Sequence, residues 1–325
     1  MTHRQLSDFW IASCKDDGGA HLLRLYDDGS VEELKKIDMP RPMYLIERTE
    51  GLYTVLRTPY PDSNVSAAAL YSYGGRQLIF DSTRGEAGCH LAVLDGTIYS
   101  ANYLSGSLYS TKGNHVIHSG SSVNLERQES AHIHSTFPSP DGRFILSCDL
   151  GLDKVFVYNK DLTLHSSVDT PKGAGPRHLC FSKDGSFVYV VNEMGGSISA
   201  FSYSDGILEY LNTLPLLPDG FSEDGAGSAI KLSLDGKRLY VSERAQNKIF
   251  TVSVSGKDMK VLSSIDCGGD HPRDIELLAN DGYLVSTNQF SDNLTFFKLD
   301  PNGIPSYLSS YSIPAPLCAV ESKLF

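Results

Sequence analysis

The chain has 325 residues, of which 41% are hydrophobic and 21% charged, and its 39 acidic residues outweigh 28 Lys and Arg to give a net charge of −11. This negative field opposes binding to a phosphate backbone, so we expect no nucleic-acid partner. No stretch approaches 18 apolar residues, and residues 1–10 lack the basic and apolar regions of a signal peptide, so we expect a cytoplasmic protein without a membrane segment.

The N-terminal segment predicts strands that belong to an incomplete repeat. Residues 9–36 contain three short alternating runs, FWIASC, HLLRLY and VEELKKI. They correspond to the second, third and fourth strands of a four-stranded unit whose first strand is missing. Faint copies of the complete unit follow, beginning near Pro42 and His90.

Three segments in the middle of the chain align nearly column for column. HSTFPSPDGRFILSCDLGLDKVFVY, RHLCFSKDGSFVYVVNEMGGSISAFSY and SAIKLSLDGKRLYVSERAQNKIFTVSV begin at His134, Arg177 and Ser228, and a fainter copy begins at Arg273. Each predicts an apolar strand, an Asp-Gly hairpin turn and two further strands, because glycine adopts the positive φ that tight turns require. A more polar fourth strand follows. These starts lie 43, 51 and 45 residues apart, which is the period of a propeller blade.

The C-terminal run PLCAVESKLF predicts a lone first strand. With the strands of residues 9–36 it completes one blade from both chain ends and closes the ring without an open sheet edge. Six internal units and this composite blade predict an all-β, seven-bladed β-propeller. We expect residues 1–325 to form a single β-propeller domain, since no linker separates the repeats, and a monomer or weak homo-oligomer.

Polar residues interrupt the repeat in two places, which antiparallel pairing brings to one rim of the ring. The innermost strands begin with His134, Arg177 and Arg273, and next to these positions lie His132, His178 and His271. The strands that follow end in two consecutive columns, which hold Asn102, Asp149, Asn192, Glu243 and Asn288 and then Tyr103, Leu150, Glu193, Arg244 and Gln289. Innermost strands line the channel, so we expect a site at one channel mouth.

The residue types at this mouth predict an anionic ligand. Neighbouring arginines repel one another unless an anion lies between them, and a guanidinium can bind a carboxylate or phosphate through two hydrogen bonds. A nearby Glu and His add proton transfer near neutral pH. The alternatives are structural: Asp149 or Asn192 could satisfy turn backbone groups, a histidine could be a hydrogen-bonding residue of the fold, and Glu193 with Arg244 could form a salt bridge between blades.

Metal and cofactor chemistry has little support in the sequence. The six cysteines are scattered without a CxxC pair, and the nucleophile-elbow, P-loop and HExxH motifs are absent. His132 and His134 have a spacing that suits a metal, yet no third ligand is evident. We therefore expect no metal and no cofactor.

The segments HIHS, GPRH, NE, SER and HPR resemble motifs of the propeller-type 6-phosphogluconolactonases, which are similar to the fungal carboxy-muconate cyclases. The resemblance covers nearly the whole chain and is strongest over about residues 130–300. It implies a cytosolic, metal-independent hydrolase that opens a small anionic sugar lactone, 6-phosphogluconolactone, to 6-phosphogluconate in the pentose phosphate pathway. The catalytic residues that it implies are His134, Arg177, Glu193 and Arg244, with Arg273 in support.

The working hypothesis is that Arg177 and Arg244 hold the anionic substrate and its oxyanion while His134 or Glu193 activates water. We expect substrate contacts from His132, His178, His271, Arg273, Asp149 and Asn192. Two departures from the family pattern, Lys231 and Glu243, leave other substrates open. The alternatives are a lactonase or cycloisomerase acting on another carboxylated lactone, and a non-catalytic propeller that binds a metabolite or a protein.

Overall fold

Each Asp-Gly pair of the three clearest repeats forms a tight turn between two strands. Gly142 has a φ of 66°, and its N–H donates to the carbonyl oxygen of Ser139 at 2.9 Å. The Ser139 hydroxyl donates to the Asp141 carboxylate at 2.6 Å. The same serine-to-aspartate bond recurs at Asp184 and Asp235. These turns are therefore determined by four or five consecutive residues, as the sequence predicts.

The computed structural model describes residues 3–59, 63–75, 77–218, 220–221 and 224–324, which form 28 strands in seven four-stranded sheets. The strands of blade 1 are β1 (Gln5–Ser13), β2 (Gly19–Tyr26), β3 (Val31–Ile37) and β28 (Pro316–Glu321). Those of blade 2 are β4 (Pro42–Arg48), β5 (Gly51–Pro59), β6 (Ser66–Ser72) and β7 (Gln77–Ser82). Those of blade 3 are β8 (Gly88–Leu94), β9 (Thr97–Asn102), β10 (Ser107–Ser110) and β11 (His115–Ile117).

The remaining blades follow the same four-strand order. The strands of blade 4 are β12 (Ile133–Pro138), β13 (Phe144–Asp149), β14 (Lys154–Asn159) and β15 (Leu164–Asp169). Those of blade 5 are β16 (Pro176–Phe181), β17 (Phe187–Asn192), β18 (Ser197–Ser204) and β19 (Ile207–Pro215). Those of blade 6 are β20 (Gly227–Leu232), β21 (Arg238–Glu243), β22 (Lys248–Ser255) and β23 (Asp258–Asp266). Those of blade 7 are β24 (Pro272–Leu278), β25 (Tyr283–Asn288), β26 (Asn293–Leu299) and β27 (Pro305–Ser312). In the described ranges, no helix is long and apolar enough to cross a membrane.

The two chain ends share blade 1. Strand β28 pairs antiparallel with β1, with Phe9 opposite Glu321 and Ala12 opposite Cys318. It is the innermost strand of its sheet, and it contacts the innermost strands of both neighbouring blades, β4 and β24. The predicted seven-bladed ring, closed by N-terminal strands and one C-terminal strand, is confirmed.

Apolar side chains fill the spaces between successive blades. Between blades 4 and 5, for example, Leu146 and Val157 pack with Val190 and Phe201, and all four side chains are fully buried. Alternating strands place one set of side chains toward each neighbouring blade, so the core is a ring of interblade clusters. The scaffold therefore holds the channel-facing side chains on rigid strands.

Every innermost strand carries a β-bulge close to its start. In β16, Pro176 lies opposite Asn192 and His178 lies opposite Val191, so Arg177 is the extra residue. A bulge redirects the side chain of the extra residue, and here it does so at the same level in each blade. The extra residues elsewhere in the ring are Leu317, Met43, Cys89, His134 and Arg273, and in β20 the shift spans Ser228 and Ala229.

Four rings fill the middle of the channel. His90 lies 4.0 Å from Tyr44, 4.6 Å from Phe137 and 5.0 Å from His178, measured between ring centroids. Beyond them, at the end of the channel away from Arg177, lies a cavity lined by Tyr44, Phe137, Lys231 and Glu276, among others. We call these four rings the aromatic plug; it separates the two channel mouths.

Candidate active site

Glu193 is the centre of the mouth at which the innermost strands begin. It directly follows β17, whose last residue pairs with the first residue of β16, so it lies beside Arg177. Its Oε2 atom is 3.1 Å from Arg177 Nε, 3.0 Å from an Arg244 terminal nitrogen and 3.8 Å from His134 Nε2. Its Oε1 atom accepts a hydrogen bond from Arg127 at 2.7 Å. One carboxylate therefore gathers three guanidinium groups and an imidazole.

Arg177 and Arg244 are each fixed by a second contact. A terminal nitrogen of Arg177 donates to the carbonyl oxygen of Ser228 at 2.6 Å, and Arg244 Nε donates to the carbonyl oxygen of Ala226 at 3.0 Å. The Arg177 Nε–H is not directed at Glu193, so this contact is an ion pair without a hydrogen bond. Both side chains are buried, so their positions are set by the blades that carry them.

The two candidate bases are both in their proton-accepting forms near neutral pH. Burial by itself raises the pKa of Glu193, but the guanidinium groups of Arg244, Arg177 and Arg127 outweigh it and hold the pKa well below the usual range for Glu. Burial, reinforced by Arg177, holds the pKa of His134 well below that of a free histidine. His134 is therefore neutral, and its buried Nδ1 has no hydrogen-bond partner among the described residues.

The mouth carries more positive charge than Glu193 neutralises. Burial and the neighbouring Arg244 lower the pKa of Arg273, and burial together with Arg244 lowers that of Arg177 to about 9. In the described part of the chain, no carboxylate oxygen lies within 4.0 Å of the Arg273 guanidinium. Such a cluster lowers its energy by binding an anion.

The bulge positions divide the channel entrance into two arcs. Leu317, Met43 and Cys89 occupy the apolar arc, and His134, Arg177 and Arg273 belong to the polar arc. A small cavity between the arcs is lined by Met43, Cys89, Arg177, His178, Arg273 and Leu317, together with Tyr44 and Asp274. The site therefore offers charged groups on one side and apolar atoms on the other.

The model of the protein family described as "Lactonase, 7-bladed beta-propeller" matches residues 8–320 of this chain. The chain belongs to this lactonase family. Lactonases are carboxylic ester hydrolases that open lactones, so the predicted family resemblance and enzyme class are confirmed.

Two relatives named as lactonases agree with this assignment, and a third solved structure shares the fold. The 6-phosphogluconolactonase of Bacillus subtilis is 30% identical over 255 residues, which cover 72% of this chain and 73% of that protein. The periplasmic gluconolactonase PpgL of Pseudomonas aeruginosa is 26% identical with a TM-score of 0.86, and the match covers 97% and 98% of the two chains. A protein from Lactobacillus plantarum is 27% identical with a TM-score of 0.89, over 98% of this chain and 100% of that one.

The three flanking histidines occupy different places in this lactonase. His271 has a φ of 63°, stacks on Phe290 at 4.1 Å, and its Nε2 lies 3.4 Å from an Arg244 terminal nitrogen. Burial, with Arg244, lowers its pKa to about 4. His132 stacks on Tyr103 at 4.4 Å on the blade-3 side of the mouth. His178 belongs to the aromatic plug, one layer below Arg177, whose terminal nitrogen is 3.3 Å from its Nε2.

Asp149 and Asn192 lie one residue away from the mouth-facing column and are fully buried. Asp149 accepts hydrogen bonds from His118 Nδ1 at 2.6 Å and from the His132 N–H at 2.8 Å, one on each oxygen. The Asn192 amide donates to Ser197 and Ser199. The hydrogen bonds of both side chains stabilise the strands and turns that surround the site, and neither side chain faces the mouth.

The two departures from the family pattern also lie outside the arginine cluster. Glu243 is fully buried and accepts hydrogen bonds from the backbone N–H groups of Ala226 at 2.5 Å and Gln246 at 2.8 Å. Lys231 pairs with Glu276 at 2.7 Å on the far side of the aromatic plug. Neither side chain faces the mouth, but Glu243 holds the backbone of Ala226, whose carbonyl oxygen accepts the hydrogen bond from Arg244 Nε.

Sequence comparison of the repeats missed two arginines at this mouth. Arg57 follows Leu56, which pairs with Pro42, so it occupies the same column as Glu193 and Arg244. The signal was hidden because blade 2 lacks the Asp-Gly turn that anchors the alignment. Arg127 lies in the connection between β11 and β12, which has no counterpart in the other repeats, so no column could reveal it.

The residues that could share a metal ion lie elsewhere. Among the residues described, His3, Asp27 and Asp28 form the one group of three donors close enough to bind a common cation, and all three are exposed. They lie at the end of blade 1 opposite the Glu193 mouth. An exposed acidic group of this kind is not by itself a metal site.

Proposed function

We propose that this lactonase hydrolyses a sugar lactone, 6-phosphogluconolactone, to 6-phosphogluconate, a reaction of the pentose phosphate pathway. The observation that carries the proposal is the arginine cluster around Glu193, with Arg273 left without a carboxylate partner among the described residues. A phosphorylated sugar lactone is a small anion with an ester carbonyl, which matches this cluster. The similarity to the Bacillus subtilis 6-phosphogluconolactonase supports the same substrate.

In this mechanism the arginines stabilise charge and a neighbouring group accepts a proton. Water adds to the lactone carbonyl carbon while one of its protons passes to His134 or Glu193. The oxyanion that forms is stabilised by Arg177 and Arg244, which are already in place and desolvated. The acyl C–O bond then breaks, the ring oxygen receives a proton, and the product is the open hydroxy acid. The substrate would also contact His132, His178 and His271 in this mechanism. Arg273 would bind the substrate's anionic group.

The test is acid release from freshly prepared 6-phosphogluconolactone, followed in a pH-stat and corrected for spontaneous hydrolysis. Loss of one fixed donor to an oxyanion typically slows a reaction about 100-fold to 1000-fold, so we expect Arg177→Ala to lower kcat/KM by this amount. Glu193→Gln should also lower kcat/KM, because it removes a proton acceptor and the negative charge that binds Arg177, Arg244 and Arg127. Arg143→Ala is the control, because Arg143 pairs with Asp141 and Asp205 at the opposite end of its hairpin.

Folded Arg177→Ala and Glu193→Gln variants with wild-type rates would contradict the proposal. Preference for an unphosphorylated or a carboxylated lactone over 6-phosphogluconolactone would support the alternative lactonase or cycloisomerase activity instead. No turnover of any lactone by the wild type would leave a metabolite-binding or protein-binding propeller.

We also propose a cytoplasmic location. All six cysteines lie in the described part of the chain and none is in a disulfide, which fits a reducing compartment. The Pseudomonas aeruginosa relative is named as periplasmic, so cell fractionation with a tagged protein is the necessary test. Recovery in the periplasmic fraction would contradict this location.

A further inference from the structure

The three arginines that bind Glu193 are held in different ways. The side chains of Arg177 and Arg244 are 3% and 8% exposed, and each has a second contact to a backbone carbonyl oxygen. The Arg127 side chain is 46% exposed. Its guanidinium contacts the Glu193 carboxylate and the Tyr103 hydroxyl, and it has no backbone contact among the described residues. Arg127 is therefore the arginine of this cluster whose contact with Glu193 can be broken most easily.

The segment that carries Arg127 is itself well fastened. It connects β11 to β12, and its base is held by Asp153, which accepts hydrogen bonds from Ser122 Oγ at 2.6 Å and Gln128 Nε2 at 2.8 Å. The turn at its tip is closed by Asn124, whose side-chain oxygen accepts the Arg127 N–H at 3.1 Å. With the backbone fixed on both sides, movement of Arg127 requires only rotation of its long side chain.

Glu193 divides its two oxygens between fixed and movable partners. Oε2 faces Arg177, Arg244 and His134, whereas Oε1 has Arg127 as its hydrogen-bond donor. When Arg127 leaves, the carboxylate keeps its position through Oε2, and Oε1 becomes an open acceptor at the mouth. Departure of one cation and arrival of an anion both make the carboxylate a stronger base.

We propose that Arg127 is a substrate-operated switch, which leaves Glu193 to bind the anionic group of the substrate and thereby exposes Oε1 to the attacking water. This inference rests on the proposed lactone hydrolysis and assigns the base within it. The water oxygen bonds to the carbonyl carbon as one proton moves to Oε1. That proton then moves to the ring oxygen as the acyl C–O bond breaks, so Glu193 returns to its carboxylate form and no other reactant is consumed.

The exchange is favourable because Arg127 can be solvated when it leaves Glu193 and because its new contact is strong. The Arg127 side chain is 46% exposed, so water solvates its guanidinium when it leaves, and the buried Glu193 carboxylate keeps Arg177 and Arg244 as partners. A phosphate dianion offers Arg127 two parallel hydrogen bonds and twice the charge. Arg273, which lies near Arg244 and Glu193, adds positive charge at the same mouth.

Inorganic phosphate tests the switch with a substrate that lacks the anionic group. For wild-type protein and unphosphorylated glucono-δ-lactone, we expect saturable activation of several-fold by phosphate, after subtraction of the protein-free rate at each phosphate concentration. Arg127→Ala should hydrolyse this lactone without phosphate at about the activated wild-type rate and should no longer respond to phosphate. Its KM for 6-phosphogluconolactone should rise at least tenfold.

A purely structural role for Arg127 gives a different pattern. The proposed switch is wrong if Arg127→Ala lowers the rates on both lactones in parallel, as expected for Arg177→Ala. It is also wrong if phosphate does not activate the wild-type protein. Arg143→Ala should behave as the wild type in every assay. Arg127→Lys, which keeps the charge but not the paired hydrogen bonds, should retain a weaker phosphate response.

Phosphate binding by calorimetry separates this proposal from the proposed function. We expect Arg127→Ala to bind inorganic phosphate at least tenfold more weakly than Arg143→Ala. Equal affinity in the two variants would overturn the switch, whichever lactones are hydrolysed. Absence of lactone turnover by the wild type, with the difference in phosphate affinity intact, would instead remove the proposed reaction and leave Arg127 as an anion-binding residue.

Discussion

Four histidines at the mouth and in the channel have lowered pKa values for a common reason. Burial is the largest cause for His90, His134, His178 and His271, because an imidazolium loses its hydration there. Nearby guanidinium groups then add repulsion, from Arg177 in the first three. The folded protein thus binds these protons more weakly than the unfolded chain does.

Stability should therefore fall as the pH falls below about 6.5, where unfolded histidines begin to take up protons that the folded state excludes. Each such histidine contributes a slope of about 1.4 kcal/mol per pH unit, down to its folded pKa. We expect His90→Phe, which preserves the stacking of the aromatic plug, to reduce the slope of unfolding free energy between pH 6 and about 5 by this amount. Urea unfolding of both proteins over this range measures the difference, and parallel slopes would contradict the assignment.

The connection from β11 to β12 is the element that distinguishes the Glu193 mouth from a plain ring of blades. Two buried aspartates join it to blade 4 and to the residues that precede Arg177. Asp149 binds His118, whose other nitrogen contacts the Tyr158 hydroxyl. Asp153 accepts two donors from the connection and two from the backbone N–H groups of Gly173 and Gly175, at 2.7 and 2.8 Å.

We expect Asp153→Asn to destabilise the protein by about 3 kcal/mol, because an amide nitrogen would face N–H donors and leave buried groups unsatisfied. Asp205→Asn is a matched control: both aspartates have a left-handed backbone, with φ of 54° and 50°, which asparagine tolerates, but Asp205 is exposed. Thermal unfolding gives the stability, and limited proteolysis reports whether residues 118–132 have loosened. Equal melting temperatures for the two variants would show that Asp153 does not fasten the connection.

At the scale of the whole molecule, ring closure depends on the last strand. Strand β28 buries Leu317, Cys318 and Ala319 between blades 7 and 2 and covers the edge of β1. Because each blade packs mainly on its two neighbours, opening the ring at this strand exposes apolar surface on both sides. We further propose that the closed ring is a monomer or weak homo-oligomer.

A chain that ends at residue 313 should lose about 5 kcal/mol or more, which approaches the total stability of many domains. We expect aggregation, or a broad transition without cooperativity, in calorimetry. A peptide of residues 312–325 added in trans should restore part of the transition, since it can pair with β1. A chain ending at Lys323 keeps β28 and serves as the control, and a normal transition in the shorter chain would argue against closure as the source of stability.

The sequence by itself determined the number of blades, their boundaries and the shared blade. Strand alternation and Asp-Gly turns are local properties that repeat along the chain, so one well-preserved copy reveals the others. The incomplete repeats at the two chain ends were also informative, because three strands at one end and one strand at the other make up one blade. The sequence also identified the rim that holds His134, Arg177, Glu193 and Arg244.

Only the tertiary structure decided which residues of that rim face the channel. Neighbouring residues in a strand point to opposite sides, so Asp149 and Asn192 turn into the blades, whereas Glu193, one position further on, turns into the mouth. Arg127 joins Glu193 through a connection of irregular backbone, whose path follows from long-range hydrogen bonds to Asp149 and Asp153. Such bonds link residues distant in sequence and leave no periodic pattern. The repeats therefore predicted the ring of blades but not the contact between Arg127 and the Glu193 carboxylate.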